Sequence, residues 1–455
     1  MNEKRVFAFV SLAANQSRFF MALGRQLEGA GHAVAHVCFH EGAVEEIRCG
    51  GARVFNPFDF QPERPGDVRF ADYGVELPAL LIGHEKAAYE LHDTGGLTRK
   101  FKAHLAAMGC IVDALLAEGR NLVMVQELGG FTSVLAAFFA ARRRCIDNWF
   151  IEPSFFRGRV FFTPNTFSAP RITRGGELVS SKVRDAIANI CATQSVVIPS
   201  KDRLHYRGAA RKLTDLRNAR RLFEKLVAKH VRGRREEFEH IGGHVRRHVR
   251  MFLNASRLTR HYRQLPTDRP FLYYPLHVPA DFALTVRSPE YLDQLATIDF
   301  LCRCAPLGWR VVIKEHPALI GAIDPVRMGD LLRRHDNLLL LSPTINNHKV
   351  LSLAEVVVTV NSKAGAEALL YRRNVFALGD SFYQDSPLVT RVRTLADLPT
   401  LLAKPRREID EGGVERFFQD VWDGSYPGEL YDLAPDNIAA FATSLMRCLD
   451  RAPRA

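Results

Sequence analysis

No hydrophobic run in this chain of 455 residues approaches the roughly 20 residues needed to cross a bilayer. The most apolar stretches, 134–141 and 350–360, are far shorter. The opening Met1-Asn2-Glu3-Lys4-Arg5 leads only into Val6–Val10, too short for the core of a signal peptide. The sequence therefore predicts a soluble, cytoplasmic protein whose first strand is buried. Paired cysteines are also lacking. Among the eight, Cys302 and Cys304 form a C-x-C and none forms a C-x-x-C, so a structural metal site is not expected. Most read as small apolar core residues of a reduced protein. There is no G-x-x-x-x-G-K-[ST] loop and no G-x-S-x-G elbow, which argues against a P-loop NTPase and a serine hydrolase. The loop Ser11–Ser17 lacks the glycine fingerprint of a dinucleotide fold.

What is present is ordinary globular composition, 47% hydrophobic and 25% charged, over a length that favours two or three domains. The net charge of +12 is concentrated: Lys201 to Arg263 holds 19 Lys/Arg against 6 Asp/Glu, leaving the rest near neutral. Leu213, Leu216, Leu222, Phe223, Leu226 and Val227 recur there at helical spacing between the basic residues. One reading is a solvated helical insertion between domains. Another is a basic face held against anionic lipid headgroups or a polyanionic product. No nucleic-acid-binding motif accompanies the charge, so nucleic acid is not an expected partner.

Both halves alternate strand and helix. Strand Val6–Val10, a helix through Phe19–Leu27 and strand Val34–Phe39 open the first half; strands at Leu122–Gln126 and Asn148–Ile151 follow, while 56–95 and 153–180 read as irregular. The second half restarts with strands at Phe271–Leu276, Trp309–Lys314, Leu338–Leu341, Val356–Val360 and Val375–Leu378, separated by helices. The expected fold is α/β, two Rossmann-like domains facing a cleft. The expected divisions are 1–200 (N-terminal, acceptor side), 201–265 (basic helical linker), 266–400 (C-terminal, nucleotide-sugar side) and 401–455 (a helical tail).

Ligands of open parallel sheets gather beyond the strand carboxyl ends. There Lys314-Glu315-His316-Pro317 ends one strand, with His316 suited to hold a phosphate or protonate a leaving group. Asn361-Ser362-Lys363-Ala364-Gly365 ends another and starts a helix carrying Glu367, a phosphate-type site that also suits an N-cap. His277 ends a third. In the first half Glu127 and Glu152 end strands and are the carboxylates available as a general base.

The string Tyr274-Pro275-Leu276-His277, Tyr291–Gln294, Gly308-Trp309-Arg310, Lys314-Glu315-His316-Pro317, Leu341-Ser342-Pro343, Gly365-x-Glu367-Ala368-Leu369 and Gly379-x-x-Phe382-Tyr383 resembles the capsule polysaccharide biosynthesis and export family, over residues 271–400. That family includes the transferases that build the Kdo linker of bacterial capsules. The resemblance implies a GT-B arrangement, no metal or other cofactor, and a nucleotide-sugar donor, a CMP-sugar such as CMP-Kdo. The acceptor it implies is a glycolipid or polysaccharide. It implies that His316 meets the CMP phosphate or base, Ser362 the phosphate and Glu367 the ribose. His277 stands where the family often has Gln, and the surroundings of Glu152 depart from the usual glycine-containing pattern. Alternatives are a UDP-sugar transferase, a nucleotide-sugar epimerase, or a non-catalytic capsule assembly or export partner. A peripheral contact with the inner membrane through 201–263 is a further expectation.

Overall fold

The strand β1 (Val6–Ser11) is buried on both sides, as its unbroken apolar run requires. Phe7 and Phe9 enter one core layer, Ala8 and Val10 the other. The computed structural model describes residues 4–118, 121–176, 178–195, 224–227, 229, 231–238 and 240–451. Of the helical pattern expected from Leu213 to Val227, residues 213–223 lie outside them and 224–227 are helical.

In the first sheet β1 is joined by β2 (Ala33–Cys38), β3 (Val54–Phe55), β4 (Leu122–Glu127), β5 (Asp147–Pro153) and β6 (Arg159–Pro164). The second contains β7 (Tyr262–Arg263), β8 (Phe271–Pro275), β9 (Arg310–Lys314), β10 (Leu338–Leu341), β11 (Val356–Thr359), β12 (Asn374–Ala377) and β13 (Val389–Arg391). A last short strand, β14 (Tyr426–Pro427), returns to the first sheet.

The first sheet runs β14-β6-β5-β4-β1-β2-β3 and the second β13-β12-β11-β8-β9-β10-β7. β1 to β5 pair in parallel, while β6 and β14 add antiparallel at one edge. Every neighbouring pair in the second sheet is parallel. The first sheet grows outward from β1 and the second from β8, and each then reverses, so each has a topological switch point: between β1 and β4, and between β8 and β11.

Helices cover both faces. Thr94–Leu116 and Thr132–Arg143 pack on one side of the first sheet, Ala14–Gly29 and Pro435–Arg451 on the other. The last helix crosses back from the far end of the chain, its Phe441 set edge-on to Phe19 at 5.1 Å. Burying an aromatic of this kind contributes about 1.5–3 kcal/mol. Gln294–Cys304 and Pro325–Arg334 cover one face of the second sheet, Asn347–Leu353 and Lys363–Leu370 the other. The arrangement is two Rossmann-like domains of GT-B type with a cleft between them.

Several expectations meet differences. The stretch 153–180 holds β6, and 56–95 is a chain of short 3-10 turns ending in helices Pro78–Leu81 and Gly83–Tyr89. The 401–455 segment is divided: Glu411–Asp423 packs against Ser181–Thr193, while β14 and Pro435–Arg451 belong to the first sheet. Of the cysteines only Cys38, Cys302 and Cys448 are buried; Cys49, Cys110 and Cys145 are exposed, being on the outer faces or at the ends of helices where an apolar neighbour in sequence does not mean burial.

Candidate active site

Three adjacent strands of the second sheet, β11, β8 and β9, deliver Asn361, His277 and His316 at their carboxyl ends. His277 is held by its own backbone: its N–H donates to Oε1 of Gln294 at 2.7 Å, and Nε2 of Gln294 donates back to its carbonyl at 3.1 Å. Its ring Nε2 accepts from the backbone N–H of Asn361 at 3.3 Å. That bond assigns the ring proton to Nδ1, which is buried without a hydrogen-bond partner. Burial pushes the His277 pKa down to about 4, against a smaller pull from Asp281, so the ring is neutral near pH 7. Asn361 donates from Nδ2 to the carbonyl of Ala283 at 2.6 Å and to Oγ of Ser288 at 3.3 Å, leaving its buried Oδ1 without a partner. One donor and one acceptor therefore stand unsatisfied beside the switch point. Buried polar atoms normally have partners, so this pair makes the place a candidate for a polar ligand.

Ser362 caps the helix Lys363–Leu370, its Oγ accepting from the N–H of Ala364 at 3.2 Å. Its carbonyl accepts from Oη of Tyr383 at 2.6 Å. Tyr383 lies so close to Gly365 that a Cβ there would stand 2.5 Å from its hydroxyl oxygen; the glycine is required by that approach. Lys363 reaches across to the first half, Nζ donating to the carbonyl of Ser154 at 2.8 Å.

His316 is half-buried, and its Nδ1 accepts from the N–H of Ala318 at 3.3 Å, which puts the ring proton on Nε2. Burial lowers its pKa, Asp281 raises it and Lys314 lowers it. Lys314 is buried, donates to the carbonyl of Ile345 at 2.9 Å, and is lowered to about 8 by burial, with Glu367 opposing. Glu367 accepts from Nδ2 of Asn347 at 2.8 Å, and Asn347 in turn accepts from Oη of Tyr273 at 2.8 Å. Glu315 turns away from this group. It accepts from the N–H of Gly321 at 3.0 Å and from Oη of Tyr262 at 3.2 Å, and burial raises it to about 7.

Across the cleft, Glu127 ends β4 at the first sheet's switch point. Gln16, in the first turn of the helix Ala14–Gly29 that follows β1, donates to its Oε2 at 2.9 Å, and Oη of Tyr431 bonds the same oxygen. Gln16 is aligned by the N–H of Leu12 at 2.7 Å. Glu152, at the end of β5, is differently engaged: Arg287 of the second half donates to both its oxygens, at 2.8 and 3.1 Å. The same guanidinium bonds the carbonyls of Phe167 and Ser168 at 2.6 and 3.0 Å.

The sequence profile of the capsule polysaccharide biosynthesis protein family matches residues 132–411, more than half of the chain. The chain belongs to this family. Protein FixF of Sinorhizobium fredii is 33% identical over 139 residues, which cover 29% of this chain and 32% of FixF. The match thus spans about a third of that relative's length. Among solved structures, the β-Kdo 2,7 transferase KpsC of Thermosulfurimonas dismutans is similar at 16% identity and TM-score 0.35, over 74% of this chain and 89% of that one. A UDP-GlcNAc 2-epimerase from Neisseria meningitidis is similar at 10% identity and TM-score 0.28, over 98% and 100%.

Of the residues singled out from sequence in this family member, the fold brings His277 and Asn361 into contact and places Ser362 and Lys363 next in chain. His316 is close enough to depress the His277 pKa, and Lys314 and Glu367 interact. Glu315 and Glu152 are occupied elsewhere, in a loop and a domain contact. Gln16, Arg287, Ser288 and Tyr431 were not legible, while Tyr383 entered only as part of the Gly379-x-x-Phe382-Tyr383 motif. The segment after the first strand was a signal for Gln16; Tyr431 comes from the far end of the chain and has no local one. Among the described residues, no group of three His, Cys, Asp or Glu is placed to hold a metal ion, and no helix is long and apolar enough to cross a membrane.

Proposed function

We propose that this protein is a metal-independent glycosyltransferase of surface polysaccharide synthesis, working at the cytoplasmic side of the inner membrane. Its donor is a CMP-sugar, with Kdo as the sugar, and its acceptor is a glycolipid or growing polysaccharide. Family membership supports the pathway class. The observation that carries the chemistry is the set of uncharged donors at the second switch point: His316, His277 and the start of helix Lys363–Leu370. A phosphate placed there meets the His316 ring N–H and the positive end of the helix dipole.

In the reaction an acceptor hydroxyl attacks the anomeric carbon and the bond from that carbon to the phosphate oxygen breaks. Glu127 takes the hydroxyl proton. Nε2–H of His316 donates to the departing phosphate as its charge grows, and the helix start stabilises the same charge. Glu152 is less suited to act as base, since both its oxygens are engaged by Arg287. Lys314 and Glu367 brace the neighbouring loop and helix through Ile345 and Asn347.

Titration calorimetry with CMP, UDP and ADP on wild type and His316→Ala tests the reading. CMP binding that His316→Ala weakens about tenfold or more, with UDP and ADP inert, is the expected result. A preference for UDP would replace it with a UDP-sugar transferase or epimerase. Folded protein that binds none of the three would point to a non-catalytic assembly or export partner.

A further inference from the structure

The helix Ile241–Leu258 has two apolar faces and only one of them is covered. Met251 and Leu258 are buried on the inner face. That face is fixed to both halves of the protein. Arg247 donates to the carbonyl of Ala88 at 2.8 Å, Arg250 pairs with Glu90, and Nδ2 of Asn254 donates to the carbonyl of Gly321 at 3.2 Å. The approach to Gly321 is so close that any Cβ there would run into the backbone of Met251, and its φ of +84° suits glycine alone. Gly321 belongs to the loop that begins at His316, whose carbonyl accepts from the N–H of Leu319 at 2.9 Å. The helix is therefore seated directly on the loop that carries His316.

On the outer face Val245, Val249, Phe252 and Leu253 are 36%, 46%, 44% and 49% exposed. Their spacing of four, three and one residues places them in one stripe about 100° wide. Arg246, Arg257 and Arg250 follow along one flank of that stripe, and all three are exposed. No acidic residue occurs from Ile241 to Thr267, in a segment that carries six arginines. A solvated helix of a monomer would have mixed charges on this face and fewer branched and aromatic side chains. Four exposed hydrophobes beside arginines, with no acid among them, match the chemistry of a bilayer interface whose headgroups are anionic.

We infer that the outer face of helix Ile241–Leu258 docks on the surface of an anionic phospholipid bilayer, with Val245, Val249, Phe252 and Leu253 in the headgroup–acyl boundary and Arg246 and Arg257 on the lipid phosphates. The inference gives the basic segment an orientation that its charge alone does not. Docked in this way, the bilayer lies on the far side of the helix from the His316 loop, so that a lipid-linked acceptor is held on the side of the protein that carries this loop. That consequence rests on the transferase reading; bilayer binding itself does not.

Flotation of the full chain with vesicles tests it, comparing pure phosphatidylcholine with an equimolar mixture of phosphatidylcholine and phosphatidylglycerol. Wild type is expected to float with the mixed vesicles, to release as salt rises, and to stay behind with phosphatidylcholine alone. Arg246→Gln and Arg257→Gln should each weaken binding about fivefold. Phe252→Ser with Leu253→Ser should weaken it about tenfold or more, because the side chains they remove are the ones that enter the boundary. Thermal melts of the same preparations, without vesicles, show that the variants are folded, and calorimetry with CMP tests the donor reading separately. Equal binding to both vesicle types, or variants that float like wild type, overturns the inference. So does a wild-type dimer in solution that Phe252→Ser and Leu253→Ser turn into monomer, which would make the stripe an interface between copies. Retention on a polyanionic polysaccharide without any flotation would overturn it too.

Discussion

The backbone N–H of Asn361 donates to Nε2 of His277, tying the carboxyl end of β11 to that of β8 across the switch point. The bond fixes the imidazole tautomer and leaves its Nδ1–H buried and unpartnered. What the position needs is an acceptor for Asn361 and a donor for the ligand, and a glutamine amide supplies both. His277→Gln is expected to keep CMP affinity within about threefold of wild type, and His277→Ala to lose about tenfold, near the worth of one or two hydrogen bonds. Calorimetry checks it. Equal losses in the two variants would mean that the ring itself packs on the nucleotide.

The two strand-end carboxylates separate by what holds them. Glu127 is gripped by Gln16 and Tyr431 within the first domain, whereas Glu152 makes a two-pronged pair with Arg287 of the second. Glu127→Gln should lower kcat by about a hundredfold or more while leaving CMP affinity unchanged. Glu152→Gln strands a buried guanidinium and should destabilise the protein by about 3–5 kcal/mol, read as a lowered Tm. Arg287→Met in the Glu152→Gln background should recover part of that loss, since the orphaned charge is then gone. If Glu152→Gln instead abolished turnover at unchanged Tm, the roles of the two carboxylates would be exchanged.

The fold was legible wherever a strand is buried on both faces. Val6–Val10, Leu122–Gln126 and Val356–Val360 announce themselves as apolar runs between turn residues, and their helices follow at 3.6-residue spacing. The edges were not legible. β3, β7 and β14 have two residues each, and β6 pairs with β5 only through its tertiary setting. For the site, a histidine or a small polar cluster after such a strand is a local signal, which is why His277, His316 and Asn361 were found. Side-chain direction is not local. Lys314, Glu315 and His316 stand in a row in sequence, yet Lys314 turns to Ile345, Glu315 to Gly321 and Tyr262, and His316 to Ala318. Likewise nothing near Glu152 foretells Arg287, 135 residues away.

Buried titratable groups give the protein a stability window with different causes at its two sides. His36, His84 and His277 are lowered to about 4 and His104 to about 3, all chiefly by burial. The unfolded chain binds protons at these positions from about pH 6.5 downward while the folded one does not, so stability falls as pH drops from about 6.5 to about 4. Glu237 works in the opposite direction. Burial raises it to about 8 although it shares Lys100 with Glu85, whereas Glu85, despite its own burial, is held at about 2 by the Lys100 ammonium and then by two bonds from Thr132. A carboxyl raised in the folded state contributes stability below its unfolded pKa and loses it as pH climbs through the folded one, here between about 4.5 and 8. Thermal melts across pH 4 to 9 should therefore show a maximum in the middle of that range. Glu237→Gln should flatten the alkaline side, its Tm gaining on wild type as pH passes from about 5 to 8, and leave the acid side as it was. Glu85→Gln removes the charge that Thr132 and Lys100 are arranged to hold, and should cost about 3–5 kcal/mol at neutral pH. An alkaline limb unchanged by Glu237→Gln would mean that Glu237 is ionised at neutral pH in the folded protein, sharing Lys100 as a second full charge.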